Sequence, residues 1–84
     1  MRTLEELGRS VADHRRKLGL KQGQVANQAG LSQESLSRFE RGQLSEFGSR
    51  KLLAILAVLG LEISFTETGM SGTLDDLRRE RGGA

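Results

Sequence analysis

The chain has 84 residues, a formal net charge of +2, 36% hydrophobic residues and no cysteine. That length makes one domain with a modest core, small enough that an oligomer would help to stabilise it, and the missing cysteines exclude both a disulfide framework and a thiolate metal site. No apolar run approaches the roughly 18 residues of a membrane span and the N-terminus has no signal-peptide core, so a cytoplasmic protein without cofactor or metal is expected.

Thr3-Leu4-Glu5-Glu6 has the form of a capping box and predicts a helix start, with Thr3 as N-cap and Glu6 three residues later. Leu4, Leu7, Val11 and Leu18 recur at helical spacing and mark its buried stripe, in which Gly8 is a local weakness. The helix ends in His14-Arg15-Arg16-Lys17, where basic side chains suit the negative end of the dipole. Arg16 and Lys17 could reach phosphates or simply be solvated, and the lone His14 reads as packing or capping rather than as a ligand. Gly19 serves as the residue beyond the C-cap, with Leu18 and Leu20 returning the chain to the core.

From Lys21 to Gly42 the pattern predicts two short helices meeting at a tight turn. Val25, Ala26 and Ala29 give the first an apolar edge, and Gly30 can leave it with positive φ. Leu31 plugs the corner, Ser32 is the next N-cap, and Leu36 and Phe39 set the inner side of a helix that Gly42 stops. At about 100° per residue Leu36, Phe39 and Glu40 point inward, whereas Glu34, Ser37, Arg38 and Arg41 point outward and Gln33 sits at the exposed N-terminal end. An outer face made only of hydrogen-bonding side chains is the layout of a helix-turn-helix, whose second helix enters the major groove. Charge supports it: residues 1–51 hold ten Lys or Arg against six Asp or Glu, while residues 52–84 hold three against five, so the positive part surrounds the reading helix.

Gln43 and Leu44 form a loop, and either Ser45 or Ser49 caps a fourth helix. Leu52, Leu53, Ile55, Leu56 and Leu59 take one broad face of it, but Ala54, Ala57 and Val58 leave nothing polar on the other. Leu61-Glu62-Ile63-Ser64-Phe65-Thr66 then alternates apolar with polar, the period of a half-buried strand. One strand cannot satisfy its own backbone groups, and a copy from an identical subunit is the simplest partner. A homodimer is therefore expected, with Ala54, Val58, Leu61, Ile63 and Phe65 at its interface. The expected organisation is a helix-turn-helix domain over 1–68, with its dimerisation strand at about 61–66, and a flexible tail over 69–84. Within that tail Gly69 to Gly72 reads as a joint, and Thr73 to Arg81 could form two helical turns.

Over roughly residues 4–60 the chain resembles the lambda-repressor-like, Xre-type helix-turn-helix proteins. The matching words are Leu18-Gly19-Leu20-Lys21-Gln22, Val25-Ala26, Ala29-Gly30-Leu31-Ser32, Leu36-Ser37-Arg38-Phe39-Glu40-Arg41-Gly42 and Leu59-Gly60-Leu61. With the strand that follows, the chain looks like the HipB-like antitoxins, whose subunits pair through a C-terminal strand, repress their own operon and hold a HipA-like kinase toxin inactive. The resemblance implies a mainly α, four-helix DNA-binding domain with one β-strand pairing across a homodimer, and it implies that role. It places Gln22 where the side chain and backbone N–H hold a phosphate, Gln33, Glu34, Ser37 and Arg38 at base-reading positions, and Arg15 with Glu40 as a structural ion pair. This chain departs from the antitoxins in an acidic/basic, glycine-jointed tail without tryptophan or tyrosine.

In that scheme Lys21, Gln22, Arg41 and Arg50 or Lys51 grip phosphates, which gives affinity without sequence choice. Gln33 can pair with adenine N6 and N7, and the fork of Arg38 fits guanine O6 and N7. Glu34 either accepts from cytosine N4 or strengthens the helix N-terminus while repelling misplaced phosphates, and Ser37 reaches a phosphate or nothing. A two-fold dimer predicts a pseudo-palindromic operator with half-sites about 34 to 36 Å apart, or a multiple of that. Three function classes compete: a repressor that is also an antitoxin, a repressor without a toxin, and a protein-binding module that has lost DNA binding. Catalysis is not expected, because no residue is spaced to activate Ser32, Ser35 or Ser37 and the Glu5-Glu6 and Asp75-Asp76 pairs sit in helix first turns.

Overall fold

Local signals at the end of each segment decide where the helices lie. The computed structural model describes residues 2–68 and contains α1 (Leu4–Lys17), α2 (Gln22–Ala29), α3 (Gln33–Glu40) and α4 (Ser49–Val58). Thr3 caps α1 by accepting the Glu6 N–H at 3.0 Å, and its hydroxyl donates to Glu6 Oε1 at 3.3 Å. The Glu6 carboxylate thus meets the capping residue through the hydroxyl. Gln24 Oε1 accepts the Lys21 N–H at 2.8 Å at the start of α2, and Ser32 accepts the Ser35 N–H at 3.1 Å to open α3. The bonds from the Glu6, Lys21 and Ser35 N–H groups each satisfy a backbone donor that a helix start leaves without an internal partner.

Helix α4 begins differently from expectation. Neither Ser45 nor Ser49 caps it: Gly48 is the N-cap, and Ser49 is already the first helical residue. Phe47 explains the placement, since its ring stacks on that of Phe39 with centroids 4.2 Å apart and planes 6° from parallel. The stack pins the loop two residues ahead of the helix and leaves the extended backbone at Gly48.

All four helices stop by one device. Gly19, Gly30, Gly42 and Gly60 take φ of 72°, 77°, 71° and 72°. The next N–H reaches back five residues in each case, from Leu20 to Arg15, Leu31 to Ala26, Gln43 to Arg38 and Leu61 to Leu56. This closure satisfies carbonyls that the helix end would otherwise leave unpaired. Leu20, Leu31 and Leu61 then fold back against the core. Leu18 does not: it is the C-cap of α1 and 49% exposed, so the stripe of α1 is completed instead by Ala12 and Arg15.

Phe39, Leu36, Ile55, Val11 and Val25 are the largest fully buried side chains and draw one from each helix, two from α3. Gly8 earns a reason here that the sequence did not offer. A Cβ on Gly8 would overlap the carbonyl oxygen of Phe39, so the absence of a side chain lets α1 lie directly against the backbone of α3. On α4, Leu53 is 51% exposed, contrary to its expected inward position, while Ala54 and Val58 are half-buried and Val58 packs on the core. The uncovered apolar side of α4 is therefore turned toward Leu53 and Ala57.

No strand is present among the described residues, and Leu61 to Thr66 carries no regular secondary structure. Leu61 packs on the core, but Ile63 is 49% and Phe65 95% exposed. A strand is defined by a ladder, and the described residues supply no second strand for this segment. The expected joint at 69–72 and helical turns at 73–81 lie outside the described residues.

Candidate nucleic-acid interface

Glu40, on the last turn of α3, faces inward and fixes that helix to α1. Arg15 Nε donates to Glu40 Oε2 at 2.7 Å and Nη2 to Oε1 at 2.8 Å, a bidentate pair, while Nη1 donates to the Leu20 carbonyl at 2.8 Å. The two side chains are only 9% and 2% exposed. Hydrogen bonding from Arg15 to Glu40 raises the guanidinium above its ordinary value, against the opposing pull of burial. A raised folded-state value means that the stabilisation is complete below the unfolded value and disappears only as pH climbs through the folded one, far above neutrality.

Gln22, the first residue of α2, joins the same cluster, its Nε2 donating to Glu40 Oε1 at 2.9 Å. One amide N–H is thereby committed, which leaves its second N–H and the backbone N–H for an anion. Gln33 lies against this corner too, because a Cβ on Gly23 would stand 3.4 Å from Gln33 Oε1. The start of α2 and the start of α3 are thus held side by side, with the turn at 30–32 behind them.

On the outward face, Gln33, Glu34 and Arg38 are exposed and Ser37 is half-buried. Arg38 Nη2 lies 2.8 Å from Glu34 Oε1 one turn earlier. Arg41 turns back on its own helix, where Nε donates to the Ser37 carbonyl at 3.3 Å. Lys21 is exposed beside Gln22 at the start of α2, and Arg50 and Lys51 are exposed in the first turn of α4. That first turn contains no acid and its cap makes no side-chain bond, so two cations stand where the positive end of a helix dipole already repels them. An anion at this end would relieve both the dipole and the orphan N–H groups.

A family model for a helix-turn-helix domain matches residues 1–66. The chain belongs to that helix-turn-helix family. Nothing among curated proteins matches it. A helix-turn-helix domain points to a DNA-binding regulator, and such families are typically non-enzymatic. Among the described residues no helix is long and apolar enough to cross a membrane.

Two contributors to this helix-turn-helix were missed by sequence reasoning. Phe47, one of three phenylalanines in the chain, anchors the loop that delivers the N-terminus of α4, and its lone aromatic ring in a polar loop was the available signal. The bond from Gln22 to Glu40 joins residues 18 positions apart, and no local spacing announces it.

Proposed function

We infer that this chain is a sequence-specific, DNA-binding transcriptional repressor that works as a homodimer and lays α3 in the major groove. One observation carries the reading: the inward side of α3 is fixed by Leu36, Phe39 and the buried Arg15–Glu40 pair, while its outward side holds Gln33, Glu34 and Arg38 exposed. A rigidly seated helix with a polar outer face supplies positioned donors and acceptors for base edges. Gln33 would address adenine and Arg38 guanine, with Ser37 short enough to reach only a phosphate. Lys21, the free N–H groups of Gln22, Arg41, and Arg50 with Lys51 at the α4 N-terminus would hold phosphates on either side.

The apolar surface left over at the C-terminal side supports the dimer. Leu53, Ile63 and Phe65 are exposed, and the segment after Leu61, which has a strand's alternation but no regular secondary structure of its own, would find a ladder in an antiparallel copy. Ala54 and Val58 would contribute at the margin of that interface. The antitoxin role rests on the sequence resemblance of the alternating segment Leu61 to Thr66, directly after Leu59-Gly60-Leu61, to the C-terminal strand of HipB-like antitoxins, and it names a HipA-like kinase toxin as the second partner.

Footprinting on the promoter upstream of the chain's own gene tests the repressor. A protected pseudo-palindrome with half-site centres about 34 to 36 Å apart, or a multiple, is the expected result, and binding should weaken steeply with salt. A stable monomer in sedimentation at micromolar concentration, or one asymmetric half-site, would defeat the dimer. Co-purification of a kinase encoded by the neighbouring gene tests the antitoxin role separately.

A further inference from the structure

Arg38 carries the fork suited to guanine, and in the folded chain it is already engaged. Its Nη2 lies 2.8 Å from Glu34 Oε1, and the two side chains are 53% and 71% exposed. Burial does not force this contact. The spacing of four residues does, with the acid on the N-terminal side, the better orientation for such a pair. A pair so exposed adds little to stability, and Ser32 already caps the helix.

Its chemistry is more informative than its energy. One N–H of Nη2 faces Glu34, and the planar guanidinium keeps enough N–H groups for two parallel bonds to guanine O6 and N7. A free arginine side chain has many rotamers, whereas a carboxylate one turn away biases the fork toward the directions that keep the contact. The same carboxylate, in the first turn of the helix, repels any phosphate that approaches α3 out of register.

We propose that Glu34 is a specificity-determining residue that acts through Arg38, orienting the guanidinium toward one guanine and penalising misplaced backbone. The pair is a single reading unit in which Glu34 is the positioning residue and Arg38 makes the base contact. This deepens the assignment of α3 as the base-contacting helix and rests on it.

The test uses the full chain and duplexes that it recovers from a random-sequence pool. Wild type, Glu34→Gln, Arg38→Ala and the double variant are titrated against the recovered duplex, its single-base-pair variants and a random duplex. Arg38→Ala should lose about 10- to 100-fold discrimination at one guanine. Glu34→Gln, with Arg38 intact, should lose about two- to fivefold at that same base pair and bind the random duplex more tightly. In the Arg38→Ala background the second substitution should change discrimination there no further. The proposal is overturned if Glu34→Gln leaves discrimination at that guanine intact, or if the two losses simply multiply. A different result sinks the underlying assignment: Arg38→Ala with unchanged discrimination at every base pair would show that α3 does not read bases.

Discussion

Helix α3 takes part in two arginine–glutamate pairs of nearly equal length, 2.7 Å for Arg15–Glu40 and 2.8 Å for Glu34–Arg38, and they do opposite things. The first has side chains 9% and 2% exposed, the second 53% and 71%. In the buried pair each charge depends on the other, because neither has water to fall back on. In the exposed pair water competes throughout, so the contact is cheap to open and its groups stay available to a ligand. Distance alone would have ranked them as equals; solvent decides that one seats the helix and the other faces the partner.

Breaking the buried pair should have the largest effect. Arg15→Ala leaves Glu40 as an uncompensated buried charge and should lower stability by about 3 to 5 kcal/mol, read from the urea midpoint at constant m. Retention of near wild-type stability would remove the contrast between the pairs. Gly8→Ala attacks the same helix contact from the backbone side, since the new methyl group meets the Phe39 carbonyl. A loss of about 1 to 3 kcal/mol is expected, although alanine is the better helix former. Arg38→Ala should weaken binding to the cognate duplex by about 1 to 3 kcal/mol, with stability changed by less than about 0.5 kcal/mol. A thermal melt and a titration on one preparation would check both. Lys21→Ala is the mildest, weakening all duplexes alike and reducing the salt slope by about 1.

The helix ends were legible because they are written locally. Thr3, Ser32 and the glycines at 19, 30, 42 and 60 act on their immediate neighbours, and a pattern of residues suffices to read them. What lay beyond the sequence depended on what stands opposite. Periodicity put Leu53 and Leu18 on faces with buried residues, but not that the described residues leave each of them half exposed. Gly8 looked like a weak point in α1 until the Phe39 carbonyl filled the space above it. The outward set on α3 was readable from a helical wheel, whereas the tie between Glu34 and Arg38 needed rotamers as well as spacing. Leu61 to Thr66 has the alternation of a strand, and alternation describes a face to be covered rather than the ladder that covers it.

The repeated glycine closure has a kinetic corollary. Each helix carries its own stop sign within five residues, so the chain can set its three corners before distant segments meet. Corners set by such short-range links form early, and a stopped-flow refolding trace should show no phase of the tens-of-seconds proline type, since the sequence has no proline to isomerise; any slower phase should depend on protein concentration, as subunit assembly requires.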